Sequence, residues 1–167
     1  MTPILIDVRD VLAAAGSSRS LEACEPVEAA TPLARVPEDL PVQAHLLAEG
    51  LMEGLLVSGT LRGQMVLSCA RCLAQFRSAF DIEVEELFAP EANQDDERYP
   101  VVDGQVDLEP MMRDAIVLSM PFAPLCRPDC LGLCERCGGD RNAGECTCPP
   151  AEDPRWAPLL GLTLNEE

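Results

Sequence analysis

Eight of the nine cysteines fall into four short-spaced pairs: Cys69-x2-Cys72, Cys126-x3-Cys130, Cys134-x2-Cys137 and Cys146-x-Cys148. Only Cys24 stands apart. Eight thiols so arranged are the arithmetic of two four-thiolate sites. A tetrahedral zinc ion held by four cysteines is a crosslink that fixes chain topology before core packing is considered. A Cys-x2-Cys turn lets two sulfurs reach one ion at about 2.3 Å while its N–H groups point at the thiolates. Gly138 and Gly139 suit the tight turn after Cys137, where the chain is expected to need positive φ.

Two partitions are open. The sequential one joins Cys134, Cys137, Cys146 and Cys148 into a compact site and leaves Cys69, Cys72, Cys126 and Cys130 for the other. It needs one long-range closure, and is favoured for that reason. The alternative groups Cys126, Cys130, Cys134 and Cys137, and leaves Cys69 and Cys72 to meet Cys146 and Cys148. Arg71 and Arg136 hold the same place in their CxRC turns. Each is expected either to donate to thiolates and offset their charge, or to be a solvated arginine on an exposed turn.

Four cysteines with no open coordination position make a structural site, whereas a catalytic zinc keeps one position for water. The single histidine, His45, falls in an expected strand, as a sheet residue rather than a ligand. No GxSxG, P-loop, HExxH or GxGxxG motif is present. No nucleophile is paired with a base, so an enzyme is not expected. Cys24 is expected to be a small buried hydrophobe.

The charge balance narrows the partners. There are 29 acidic residues against 12 basic ones, all arginine, giving a net charge of -17. Two thiolate-bound zinc ions would carry this to about -21. Such a chain repels a polyanion at long range, and no Lys/Arg cluster offers phosphate binding. A basic protein is the natural electrostatic partner. MTPILIDVRDV lacks a basic n-region and a continuous apolar run, so no signal peptide is expected. No apolar run is long enough for a membrane span. Close-spaced pairs in a reducing cytosol are metal ligands rather than disulfides.

Along the chain, a strand over Ile4–Val8, a helical turn over Val11–Ala15 ended by Gly16, and an extended piece over Ser20–Cys24 are expected. Residues 25–41, with Pro26, Pro32, Pro37 and Pro41, read as an irregular connector. From Val42 to Phe88 the pattern is β, with Gly50 breaking one run and Gly63 marking a turn. Phe80, Ile82 and Val84 alternate inward against Asp81, Glu83 and Glu85 outward, giving an antiparallel sheet with one wet face. Residues 81–109 hold eleven acidic residues and one basic residue, Arg98, and Glu91–Arg98 reads as a loop. Asp107 caps an expected helix from Leu108 to about Met120, with Met111 and Met112 as core filler and Pro121 as its stop. Asp153 and Pro154 mark another helix start, ahead of Trp156, Leu159, Leu160 and Leu162.

The run CARCLAQF at Cys69, the acidic alternating strand after it, LSMPFAPLC ending at Cys126, CLGLCERCGGDRNAGECTC and then DPRWAPLLGL together resemble the bacterial YceD family, over roughly residues 40–162. Its family name is large ribosomal RNA subunit accumulation protein. The resemblance implies a cytoplasmic, non-enzymatic protein needed for normal accumulation of large-subunit ribosomal RNA. Family genes commonly neighbour one for a small zinc-binding large-subunit protein, and sometimes one for ribonuclease III. Some members keep the pairs equivalent to Cys69/Cys72 and Cys126/Cys130 but lack the later four, which supports the sequential partition.

The chain is therefore expected to be an α+β protein: residues 1–125 an antiparallel sheet with a packed helix, and residues 126–167 a cysteine-rich zinc-binding knuckle packed on it. The expected partner is a basic ribosomal protein or an rRNA-processing enzyme such as ribonuclease III, with ribosomal RNA touched indirectly and no membrane. Two other functions remain open. One is a zinc knuckle binding precursor ribosomal RNA directly through Arg127, Arg136 and Arg141. The other is a cytosolic thiol-redox protein, since CxxC pairs also serve there.

Overall fold

The computed structural model describes residues 3–89, 98–149 and 155. Residues 91–97 of the expected Glu91–Arg98 loop, and the expected helix start at Asp153 and Pro154, with Trp156, Leu159, Leu160 and Leu162 after it, lie outside the described residues.

Among the described residues a nine-stranded sheet dominates. The strands are β1 (Leu5–Asp7), β2 (Ser18–Glu25), β3 (Ala29–Thr31), β4 (Ala34–Val36), β5 (Val42–Leu51), β6 (Gly54–Ser68), β7 (Gln75–Ala89), β8 (Tyr99–Val102) and β9 (Gln105–Asp107). Among the described residues two helices accompany them, α1 (Arg9–Leu12) and α2 (Leu108–Ser119). The expected balance of sheet and helix thus tips strongly toward sheet. The long β6 and β7 are its spine, paired antiparallel from Leu55↔Phe88 to Ser68↔Gln75. The other edge of β6 is shared: β5 covers it from Gly54 to Arg62, and β4 covers Val66 and Leu67. Among the described strands, β7 and β8 pair in parallel.

The period-2 pattern sets the buried face. Val42, Ala44, Leu46, Ala48 and Gly50 alternate inward on β5. On β6 the inward parity carries Leu55, Val57, Leu61, Met65 and Leu67, and its next step is Cys69, fully buried just past the strand end. The sheet periodicity itself therefore delivers the first ligand cysteine to the inside. Phe88 of β7, paired with Leu55, joins these residues, and Leu108, Met111, Met112 and Ile116 of α2 complete the core. Burying side chains of this size contributes about 1.5–3 kcal/mol each, which is why the two methionines are core filler as the pattern implied.

Asp107 is the N-cap of α2, accepting from Glu109 N at 3.0 Å. The same Oδ1 accepts from Ile4 N at 2.9 Å, so one carboxylate starts the helix and anchors β1. The helix stops at Ser119, ahead of Pro121.

Several local expectations change. The stretch 25–41 is not irregular: β3 and β4 form a hairpin within it, and Val27, Ala29, Ala34 and Val36 are buried. Its prolines sit in the hairpin turn (Pro32) or outside the strands, where no ladder N–H is required. Gly50 does not break β5; it lies within the strand, where a Cβ would come 2.3 Å from the Val11 carbonyl oxygen of the crossing helical turn. Gly63 is not a turn either. It sits mid-β6 opposite Phe80, whose ring occupies the space a Cβ would need, 2.7 Å from Cζ. The helical turn lies at Arg9–Leu12, earlier than Val11–Ala15. The hairpin of β8 and β9 adds an element to those expected; its Asp103 (φ 52°) and Gly104 (φ 74°) carry the Asp-Gly signature of a type I′ turn.

Candidate metal centres

The turn after β6 builds one half of the first cluster. Leu73 N donates to the Cys69 carbonyl at 2.9 Å, and Cys69 N to the Ala74 carbonyl at 2.9 Å. This tight turn, with Leu73 at φ 60°, presents Cys69 and Cys72 to the same side. The chain leaving α2 supplies the other half. Ala70 N donates to the Pro124 carbonyl at 2.8 Å, which lays the segment carrying Cys126 and Cys130 across the turn. The sulfurs of Cys69, Cys72, Cys126 and Cys130 lie within 4.8 Å of one another, as do those of Cys134, Cys137, Cys146 and Cys148. Of the two partitions, the geometry has the sequential one.

Both groups can hold a metal ion. Zinc–sulfur bonds of about 2.3 Å in a tetrahedron place sulfurs about 3.8 Å apart. The separations are 3.8 Å for Cys69–Cys130, 3.7 Å for Cys72–Cys126 and 3.6 Å for Cys137–Cys146. Four thiols and this spacing are the donor set of a closed structural site.

Electrostatics within each group show what a cation would resolve. The Cys69 thiol is lowered to about 6, first by the backbone N–H of Cys126 and then by that of Cys72. Cys126 is pushed up to about 12 by desolvation of its sulfur and then by the neighbouring sulfurs, Cys72 foremost. The second group repeats this split. Cys134 is lowered to about 6, chiefly by the backbone N–H of Cys137, while Cys148 is pushed up to about 12 by Cys137, Cys146 and Cys134. Once one thiolate forms, its neighbours resist ionising, and four thiolates coexist only around a positive ion.

Arg71 takes neither of its expected roles in full. Its guanidinium donates to the Cys130 carbonyl at 2.8 Å, and the contact with sulfur is from its backbone N–H to Cys69 Sγ at 3.5 Å. It holds the backbone of the facing ligand rather than a thiolate. At Arg136 the backbone N–H likewise lowers Cys134, while the residue itself is exposed. Gly138 has φ 72° as expected and donates to the Cys134 carbonyl at 2.8 Å; Gly139 is not in the positive-φ region. Its carbonyl instead accepts from Cys134 N at 2.9 Å.

Asn142 carries no signal of its role in the sequence. It lies in the loop between Cys137 and Cys146, yet its side-chain amide donates to Cys130 Sγ of the other cluster at 3.7 Å. Cys24 is exposed, not buried, because it sits on the outward parity of β2 opposite Gln43. His45 is on the outer sheet face, 3.8 Å from Glu22 and far in sequence from either cluster.

A family model described as "Large ribosomal RNA subunit accumulation protein YceD" matches residues 57–163, which contain both clusters and α2. The chain belongs to the YceD family. The YceD match begins inside β6, so β1 to β5 lie before it, and it starts later than the resemblance near residue 40. An uncharacterized protein of Mycobacterium tuberculosis is 41% identical over 123 residues, covering 70% of this chain and 59% of that protein. One of Mycobacterium leprae is 34% identical over 128 residues, covering 73% and 59%. A maize protein named as a chloroplastic large ribosomal RNA subunit accumulation protein homolog is 35% identical over 65 residues, covering 38% of this chain and 22% of that one. This YceD-family chain thus spans 59% of the length of its mycobacterial relatives over the matched region. No solved structure matches.

Proposed function

We propose that the chain is a non-enzymatic factor in large ribosomal subunit biogenesis that works through protein contacts on an acidic face. The observation that carries this is the outer side of β7. Asp81, Glu83 and Glu85 share its exposed parity, and Glu86 is exposed beside them. Asp81 is held by Arg62 at 3.0 Å. With a net charge of -17, the field around this face attracts a basic protein and repels nucleic acid. A basic ribosomal protein, or an rRNA-processing enzyme such as ribonuclease III, fits that field. Effects on ribosomal RNA then follow through the protein partner, in the cytoplasm.

In this reading the clusters hold one structural zinc ion each, and the segment from Cys126 to Cys148 is clamped onto the sheet and α2. No coordination position is left for substrate, which separates these centres from a catalytic zinc. Among the described residues no helix is long and apolar enough to cross a membrane.

The test is capture of partners by tagged protein with and without nuclease. Basic ribosomal proteins should remain after nuclease, and should be lost from a Glu83→Arg/Glu85→Arg double variant that stays folded. Loss of every partner on nuclease treatment contradicts the reading.

A second reading, direct RNA contact, has one observation in its favour. Arg136 and Arg141 line the same hollow of 330 Å3 beside Cys134, Cys146 and Cys148. Arg127, the third arginine, is engaged internally with Asn142 at 2.7 Å and Asp129 at 3.4 Å. Binding of precursor ribosomal RNA that weakens steeply with salt and is lost in an Arg136→Ala/Arg141→Ala variant would establish it. The thiol-redox alternative requires free dithiols, and stoichiometric metal in the purified protein would remove it.

A further inference from the structure

We propose that the two thiolate centres are one thermodynamically coupled unit, with Asn142 as the positioning residue that transmits metal loading from the second centre to the first. This rests on the reading of both clusters as metal sites. It extends that reading from two independent clamps to two sites that set each other's affinity.

Asn142 belongs by sequence to the second centre, since Cys137 and Cys146 flank its loop. Its contacts belong to the first. Nδ2 donates to Cys130 Sγ at 3.7 Å. Oδ1 accepts from Leu131 N at 2.8 Å and from Arg127 Nη2 at 2.7 Å, so the same amide holds the residue after Cys130 and the arginine three before it. The amide is itself aimed from the second loop: Asp140 Oδ1 accepts from Asn142 N at 2.8 Å and from Nδ2 at 2.7 Å. Both Nδ2 and Oδ1 are used with the right polarity, which fixes the side chain's orientation.

The backbones repeat the link. Leu133 and Asp140 form a β-bridge, and Arg141 N donates to the Gly132 carbonyl at 3.0 Å. Leu133 N donates to the Arg71 carbonyl at 3.0 Å inside the first centre's CxRC turn. Gly132 is pressed so close to that turn that a Cβ would lie 2.9 Å from the Arg71 carbonyl oxygen. A contiguous path therefore runs from the loop that Cys137 and Cys146 close, through Asp140 and Asn142, to a ligand sulfur of the first centre.

The physical consequence follows from how a closed loop acts. Metal at the second centre restrains residues 138–145 and so removes the entropy that ordering Asn142 would cost. Asn142 then supplies an N–H to the Cys130 sulfur and so helps to offset its thiolate charge. Groups that hydrogen-bond a metal ligand in this way are worth roughly 10-fold to 100-fold in metal affinity. Coupling of binding free energies is reciprocal, so loading the first centre must tighten the second by the same factor.

The experiment is zinc release from the full-length protein by a competing chelator, followed ion by ion. Four proteins are compared: wild type, Asn142→Ala, Cys146→Ser and the Asn142→Ala/Cys146→Ser double variant. Far-UV circular dichroism checks the sheet of each, and Asp140→Ala provides a second way to release the amide without touching a ligand neighbour. The expected result is wild type with two ions, and Asn142→Ala with first-centre affinity down about 10-fold to 100-fold. Cys146→Ser should hold one ion with a similarly weakened first centre. The double variant should be no weaker than Cys146→Ser alone, because both substitutions cut the same path. Two ions whose first-centre affinity is unchanged by Asn142→Ala and Asp140→Ala would overturn the coupling and leave the sites standing. A wild-type protein that binds no zinc would overturn the sites and the coupling together.

Discussion

The Arg71 guanidinium donates to the Cys130 carbonyl at 2.8 Å, tying a turn at the end of β6 to a segment 59 residues away in sequence. The contact crosses the first cysteine cluster and adds a second, metal-independent fastening to the one the sulfurs provide. Arg71→Ala should cost about 1–3 kcal/mol, the penalty of leaving the carbonyl of the buried Cys130 without its charged donor. Arg71→Lys should recover only part of this, since an ammonium lacks the planar fork. Urea denaturation with metal bound checks both.

The two clusters should differ in what they contribute to stability. Cys69 and Cys130 are 61 residues apart and Cys72 and Cys126 are 54 apart, whereas Cys137 and Cys146 are 9 apart. A crosslink across the longer span removes more freedom from the unfolded chain. Cys69→Ser and Cys137→Ser should each lose about one metal equivalent. The first should lower the denaturation midpoint substantially more. Equal midpoints would show that the first cluster does not clamp the sheet to the post-helix segment.

Asp107 couples α2 to β1 through a single carboxylate oxygen that accepts from Glu109 N and Ile4 N. Asp107→Ala should therefore cost at least the ordinary capping penalty of about 0.5–2 kcal/mol. Asp107→Asn, which keeps an acceptor, should cost less. Hydrogen exchange should show the β1 amides opening faster in Asp107→Ala.

Tyr99 is the chain's one tyrosine, so its ionisation can be read directly from ultraviolet absorbance. Burial raises it to about 12, and the Asp114 carboxylate, which accepts from its hydroxyl at 3.1 Å, pushes the same way. The fold disfavours the phenolate. The stability this represents is present below the free tyrosine value of about 10 and is lost as pH rises toward 12. Asp114→Asn should move the titration midpoint downward, though not to the free value, because burial remains.

Much of the fold was written in the period-2 alternation of β5, β6 and β7 and in the Asp107 start of α2. Both signals are local, and nothing in the packing opposed them. The hairpin of β3 and β4 was masked by prolines, because a proline in a turn or outside a strand looks in sequence like a proline that forbids one. Gly50 and Gly63 misled for a related reason: each is a glycine for close approach, by the Val11 carbonyl and the Phe80 ring, and such approach is a tertiary fact. At the centres, spacing named all eight cysteines and favoured their grouping. Asn142 was invisible because its partner sulfur belongs to the other cluster, and no spacing rule reaches between loops. Cys24 went the wrong way because an isolated cysteine carries no parity of its own; only the pairing of Cys24 with Gln43 places it outward.

The two proposed four-thiolate metal centres of this YceD-family chain require a definite metal content. Elemental analysis of the full-length protein, purified reduced and without chelator, tests that requirement most directly. Close to two equivalents of zinc per chain in colourless protein is the predicted result, falling to about one on Cys69→Ser or Cys134→Ser. Reduced, folded protein that contains no metal would contradict it.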